Sequence, residues 1–286
     1  GIMIRLLFNA DDFGIHSEVN AAILDCYQNG VLTSTSLLAG GEAFEEAVEM
    51  VSLAPTLGIG IHTALVGGLK PILPAEKVPS LVTEDGIFVD SHTTFIKKVM
   101  TGAVNYNEVY AELDAQFEKI VSQGIAVTHI DGHQHMHVLP TIQPIIFSLM
   151  KKYGIRKLRL PEEKLFYLNG NYNPVRFVGK AGLSHYAHYA KRKARELGFA
   201  YPRYFWGMMN GGHMTEDTVL SILESVKHRV GTHEIMVHPG RSNNMLSKDY
   251  TWEYCWEEEA AMLKSPRIRE WIYNHSIQLI NYQDIS

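Results

Sequence analysis

The sequence predicts an α/β chain whose seven to eight parallel strands curl into a distorted TIM-like (β/α) barrel. Three observations carry that expectation. Short apolar runs alternate with amphipathic helical stretches, the pattern of repeated βα units and hence of a parallel sheet. Seven or eight such units fit within 286 residues, a length that α/β barrels reach as one unit. No G-x-G-x-x-G follows the first apolar run, which weakens the doubly wound, dinucleotide-binding alternative.

The elements follow in order. Ile4 to Asn9 is apolar almost throughout, as a strand covered on both faces should be. Ser17 to Asn29 reads as a helix closed by Gly30. Thr33 to Leu38 is β-branched and makes a second strand. Glu42 to Leu53 is helical until Pro55 stops it. Leu57 to Ile61 is a third strand. The segment from Thr63 to Asn105 holds Pro71, Pro74 and Pro79 and has no clear period. Asn107 to Gln123 places Val109, Leu113, Phe117 and Ile120 on one helix face, with Gly124 as its stop. Ala126 to Ile130 is a fourth strand, Thr141 to Tyr153 a helix ended by Gly154, and Arg156 to Leu160 a fifth strand. Pro161 to Pro202 is mixed, with basic helical character near Lys191 to Glu196. Arg203 to Trp206 is a sixth strand, Thr215 the N-cap of a helix reaching His228, and His233 to Val237 a seventh strand. Helices are expected over Trp252 to Leu263 and Pro266 to Tyr273, with Ser276 to Tyr282 as an eighth strand or terminal element. No repeat or linker divides the chain. The expectation is one domain over residues 1–286, with functional insertions at about 63–105 and 161–202.

Composition narrows the function classes. Hydrophobic residues make up 46% and charged residues 20%, which excludes disorder and coiled coil as overall descriptions. Lys and Arg total 26 against 31 Asp and Glu, a net charge of −5 with no dense basic run, so nucleic acid is not an expected partner. No apolar run approaches the roughly 18 residues that span a bilayer, and the first residues show no secretory pattern. Cys26 and Cys255 form no C-x-x-C pair and read as free thiols in a reducing cytoplasm. A homodimer is the assembly left open.

Histidine is the unusual count: there are 14, four of them between His129 and His137. The polar clusters share a location. Asn9-Ala10-Asp11-Asp12-Phe13-Gly14 follows the first strand, His62 the third, Asp131 to His137 the fourth and His238-Pro239-Gly240 the seventh. In a parallel barrel these strand ends open on one face, where active sites sit. Adjacent carboxylates at a buried strand end repel unless something positive lies between them, and a divalent cation would serve. In an extended segment His133, His135 and His137 point the same way; in a helix His133 and His137 share a face. Imidazoles with one carboxylate suit Zn, Fe, Co, Ni or a harder ion such as Mn or Mg. The resulting scheme has Asp12, His62 and His133 as ligands, Asp11 as general base and a protonated His238 as acid, the arrangement for metal-assisted hydrolysis of an amide or ester. His129 reads as a core residue.

These residues together resemble the YdjC-like carbohydrate deacetylases. The resemblance rests on the NADDFG box, Leu32-Thr33-Ser34-Thr35-Ser36, Gly60-Ile61-His62, the run from Thr128 to His137 and His238-Pro239-Gly240, and it covers about Ile4 to Gly240. It implies a distorted TIM-like barrel and one divalent ion, usually magnesium, held by Asp12, His62 and His133 with Asp11 as base. It also implies removal of acetyl from an N-acetylated sugar, a chitooligosaccharide such as diacetylchitobiose. Zn, Mn, Co or Ni are the other ions expected at such a site. His137 matches a family position as an alternative ligand or supporting residue. The chain departs at Gln134, where relatives often carry His, and at Gly132, where they often carry Ser. For a small carbohydrate partner, Trp206 at a strand end is the expected aromatic platform. Arg159 and Arg241 are expected to bind polar substrate groups. Trp252 and Trp256, four apart, read as core packing on a helix. Two other classes compete: a glycosidase using Asp11 and Asp131 as a carboxylate pair, and a non-catalytic sugar or metal sensor. A 2-His-1-carboxylate site also suits Fe(II) oxygen chemistry.

Overall fold

The structure, a computed structural model, describes residues 3–163 and 174–286. Its sheet is built on β1 (Ile4–Phe13), buried from Leu6 onward. One side of β1 pairs with β6 (Gly231–Val237) over Ile4 to Ala10. The other pairs with the short β7 (Gln278–Leu279) at Arg5 and Leu6, then with β2 (Ser34–Leu37) from Asn9. With β3 (Gly58–Thr63), β4 (Val127–Gly132) and β5 (Tyr204–Trp206), the order is β4-β3-β2-β1-β6-β5, every pairing parallel. The sheet curls into a half-barrel, a distorted form of the TIM-like architecture.

The expected fifth strand is reduced to a narrow seam. Leu158 bridges Ile130 of β4 and Lys157 bridges Ala200, both parallel. Four backbone bonds carry the ladder across it: Ile130 N to Lys157 O at 3.0 Å, Arg159 N to Ile130 O at 2.9 Å, Leu158 N to Ala200 O at 3.1 Å and Ala200 N to Arg156 O at 2.9 Å. Gly154, left-handed at φ 70°, and Pro161, which has no N–H, confine this segment from either end. It spans the side where the sheet would otherwise stand open.

Helices cover the outside: α1 (Ser17–Asn29), α2 (Phe44–Met50), α3 (His92–Met100), α4 (Tyr106–Val121), α5 (Gln143–Tyr153), α6 (Pro174–Glu196), α7 (Glu216–Val226), α8 (Asn243–Asp249), α9 (Trp256–Leu263) and α10 (Pro266–Asn274). The predicted face of α4 is the buried one, with Val109, Leu113, Phe117 and Ile120 all inside. Thr215 precedes α7, but its hydroxyl bonds Thr218 rather than a backbone N–H. α3 lies in the 63–105 insertion and α6 in the 161–202 one, of which residues 164–173 lie outside the described residues. One boundary is corrected. The helix expected from Trp252 begins only at Trp256, because Glu253 sits at φ 59°, outside the right-handed helical region. Among the described residues no helix is long and apolar enough to cross a membrane.

On the same face of the sheet as Asp131 and His62, His129 stacks on Tyr282 with ring centroids 3.7 Å apart and planes 6° from parallel. The His129 ring passes so close to Gly60 that a Cβ there would run into it. Gly60→Ala therefore has to push the stack apart. We expect it to cost about 1–3 kcal/mol, the usual range for overpacking, read as a lower urea midpoint at unchanged m. An unchanged midpoint would show that the stack yields freely.

Candidate metal centre

Three strand ends deliver the site. β1 carries a register break between Ala10 and Phe13, and Asp12 within it takes a left-handed φ of 71°. That turn lets the adjacent carboxylates of Asp11 and Asp12 take separate partners. His62 of β3 stands opposite Asp131 of β4 in register. After Gly132 the chain makes an irregular turn rather than a regular helix or strand, with Gln134 at φ 53° and His135 at φ 62°. His133, at its first position, is thereby brought back over His62.

Asp12 Oδ1 lies 3.1 Å from His62 Nε2 and 3.2 Å from His133 Nδ1, and the two nitrogens are 3.1 Å apart. All three side chains are buried. No hydrogen bond of good geometry reaches Asp12 Oδ1, an unusual state for a buried carboxylate oxygen. Three lone-pair atoms at such mutual separations match ligands bound about 2.0–2.2 Å from one ion. The residues therefore fit a divalent cation. His62 Nδ1 is 2.8 Å from Asp131 Oδ1, the carboxylate–histidine arrangement that would orient the ring with Nε2 available to a cation. Burial alone would raise the Asp12 pKa, but His133 and His62 hold it well below the usual carboxylate range. Burial opposes charge on His62, yet Asp131 and Asp12 push its pKa up to about 10.

Asp11 faces the other way. Its oxygens accept from Arg159 Nη1 at 2.8 Å and Nη2 at 2.6 Å, and Oδ1 also from Asn9 Nδ2 at 2.8 Å. Arg159 donates to Glu234 Oε2 as well, at 3.0 Å from Nε and 2.8 Å from Nη2, and Glu234 accepts from the Tyr282 hydroxyl. Asp131 Oδ2 lies 3.4 Å from the same guanidinium. Burial works against the Arg159 charge, but Asp11, Glu234 and Asp131 raise its pKa well above the ordinary value. A second set of ligand atoms, from Asp11, His62 and Asp131, also converges. There the guanidinium already supplies the positive charge, so the Asp12 set is the better cation site.

His238 directly follows β6, with Nε2 3.8 Å from Asp11 Oδ2. Its backbone N–H donates to Glu259 Oε1 at 2.7 Å. Burial lowers the His238 pKa even though Asp11 and Asp12 pull it up. Burial thus weighs against the standing charge that the sequence scheme gave His238. Buried Glu259 is itself pushed up to about 8 by burial.

The remaining expected residues fall elsewhere. Arg159, expected to touch substrate, is fully buried and committed to Asp11 and Glu234. Trp206, the expected platform, is also buried, its Nε1 donating to His233 Nδ1 at 2.9 Å. Arg241 pairs with Glu18 at 2.8 Å and 3.0 Å outside the cleft lining. His137 Nε2 donates to the Arg159 carbonyl at 2.7 Å, tying the turn to the seam, and belongs to neither ligand grouping. A cleft of about 650 Å³ opens over the site, lined among others by Asp11, His133, His135, His238, Trp252 and Tyr254. Trp252 and Tyr254 were missed because the segment reads as helical. Glu234 and Glu259 were missed as lone acids in apolar surroundings, although such burial is itself a signal for a partner.

A family model described as YdjC-like protein matches residues 5–274. Curated relatives named carbohydrate deacetylase include one from Brevibacillus brevis, 28% identical over 99% of this chain and 100% of the relative. Another, from Geobacillus stearothermophilus, is 31% identical over 97% of this chain and 96% of its own. A solved structure from Enterococcus faecalis V583, assigned by name to cellobiose-phosphate cleavage, is 29% identical, covers 98% of both chains and has a TM-score of 0.78.

The raised His62 pKa predicts how metal affinity depends on pH. Below about 10 the ion-free imidazole carries a proton that an ion must displace. Affinity should rise about tenfold per pH unit between pH 7 and 9, with about one proton released per ion bound. Calorimetry in buffers of different ionisation enthalpy checks this. Binding without proton release would show that His62 is neutral beforehand.

Proposed function

This chain belongs to the YdjC-like protein family, and from that premise we propose that it hydrolyses the acetamido bond of an N-acetylated sugar, using one divalent ion held by Asp12, His62 and His133. Homology identifies a carbohydrate deacetylase, a hydrolase acting on an amide. The observation that carries the finer reading is the convergence of three buried ligand atoms beside a second carboxylate that has its own counter-ion.

A bound divalent ion supplies Lewis acidity, polarising the amide carbonyl and making water easier to deprotonate. Asp11 accepts the proton of the attacking water. Arg159 and Asn9 hold its carboxylate in one orientation, so no rotation is needed when the proton moves. His238 Nε2, 3.8 Å from Asp11 Oδ2, is placed to pass that proton to the departing amine. The O–H bond of water breaks, a C–O bond forms and the C–N bond breaks, giving acetate and a free amino sugar. The lowering of the His238 pKa by burial suits this order of events, in which the base delivers the proton first.

Diacetylchitobiose and related chitooligosaccharides are the substrates we propose, and magnesium the native ion. Two imidazoles extend the range to Zn, Mn, Co and Ni. The free thiols Cys26 and Cys255 suit a cytoplasmic setting. We treat residues 1–286 as one catalytic domain, its insertions walling the cleft. The glycosidase alternative needs Asp11 and Asp131 on either side of a sugar. Asp131 is fully buried between His62 and Arg159, so this geometry does not favour it.

Chelator-stripped protein should release acetate from diacetylchitobiose only after a divalent ion is restored, with Mg, Mn, Co, Ni and Zn tested singly. Asp11→Asn should lose about 10²–10⁴-fold in turnover, the usual range for a general base, while binding metal at the same stoichiometry. Metal-independent acetate release, or an active Asn variant, would sink the scheme.

A further inference from the structure

We propose that the Tyr250–Trp252–Tyr254 segment is a carbohydrate platform, with Trp252 stacking on a pyranose ring and setting which acetamido group reaches the metal centre. The inference deepens the deacetylase reading and rests on it for the identity of the sugar.

Three aromatic residues alternate along the non-helical stretch between α8 and α9 and form a ladder. Tyr250 and Trp252 are stacked, centroids 4.6 Å apart and planes 27° from parallel. Trp252 and Tyr254 follow at 5.5 Å, and Tyr254 and Trp256 at 5.6 Å. The inner end is anchored, since Trp256 is buried; the outer three rings are half-buried and line the cleft. The ladder spans the catalytic groups. Trp252 lies 5.2 Å from the ring of the ligand His133, and Tyr254 lies 4.7 Å from that of His238. A sugar ring at Trp252 is therefore beside His133, and the next ring of the ladder is beside His238.

The segment is built to hold this shape. Glu253, although not glycine, is fixed at φ 59°. The Tyr254 ring lies where a Cβ on Gly212 would sit, so a larger residue there would displace it. Cys255 N donates to Gly212 O at 2.7 Å, and the Tyr250 hydroxyl donates to Ile15 O at 3.2 Å. Left-handed non-glycine backbone of this kind persists where the surroundings over-determine it, and it gathers at ligand clamps. Of the four tryptophans, Trp252 alone lines this cleft. Flat aromatic faces with polar edges match a sugar, whose ring C–H groups form an apolar face while its hydroxyls point outward.

The test measures diacetylchitobiose binding by calorimetry to metal-loaded Asp11→Asn protein, alone and combined with Trp252→Leu or Trp252→Phe. Acetate release is followed in the Asp11 background. The platform predicts about tenfold or more weaker binding for the Leu variant and a smaller loss, within about threefold, for Phe, at unchanged metal stoichiometry. In turnover the Leu defect should fall on KM more than kcat. It should also be larger for diacetylchitobiose than for N-acetylethanolamine, which has no ring. Equal binding by all three proteins, equal losses for Leu and Phe, or no sugar binding at all would overturn the platform. Trp252-dependent binding without acetate release would keep the platform and overturn the deacetylase reading. Acetate release with no Trp252 dependence would do the reverse.

Discussion

The buried guanidinium of Arg159 is the interaction on which the rest of the site depends. Four carboxylates, Asp11, Asp12, Asp131 and Glu234, are gathered at neighbouring strand ends with almost no solvent among them. Left to themselves they would protonate or force the strands apart. Arg159 takes three of them and leaves Asp12 to the imidazoles, which is where a divalent ion fits. The division holds Asp11 in place through Arg159 and Asn9, apart from the three atoms that converge at Asp12. Removing the guanidinium would leave its carboxylates buried and unpaired, a loss of about 3–5 kcal/mol in comparable buried pairs. The seam between the sheet edges is short, but it carries this residue and is tied to the ligand turn through His137.

Strain is distributed accordingly. Non-glycine residues with positive φ are Asp12, Gln134, His135, Glu253 and Ser276 among the described residues. The first four belong to the metal centre or to the segments walling its cleft. Each redirects a side chain that regular structure would send elsewhere. At Asp12 the turn separates two adjacent carboxylates. At Gln134 and His135 it brings His133 over His62, and at Glu253 it keeps the chain out of the helix. Such conformations cost of order 1–3 kcal/mol each, and the packed, hydrogen-bonded surroundings hold them.

Much of the centre was legible in the sequence because it sits at strand ends, and strand ends are visible as polar residues closing apolar runs. Asp11, Asp12, His62, His133 and His238 were found that way, and the structure brings them together. Most strands and helices followed from periodicity. The misses lie where tertiary contacts or single backbone turns decide. Arg159 and Trp206 were placed correctly on the chain but given outward roles, because sequence shows a residue's position and not which way a curled sheet turns it. Trp252 was hidden by a helical pattern that one left-handed residue breaks. Glu234 and Glu259 gave no local sign of partners far away in the chain. The turn after Gly132 followed neither of the two regular geometries considered.

The cleft has a floor and a wall of different origin. The floor is strand-borne: Asp11 and Asp12 lie on β1, His62 on β3 and His133 directly after β4, locked by register and by Arg159. Much of the wall comes from connections, including the 63–105 insertion, α6 and the aromatic segment before α9. The converging polar groups and the walls of the cleft are therefore encoded in separable parts of the chain. A connection can lengthen, shorten or exchange its side chains while the strand-borne floor keeps its geometry. A change confined to residues 250–255 would reshape the cleft wall and leave the pairing of β1, β3 and β4 with their neighbours untouched.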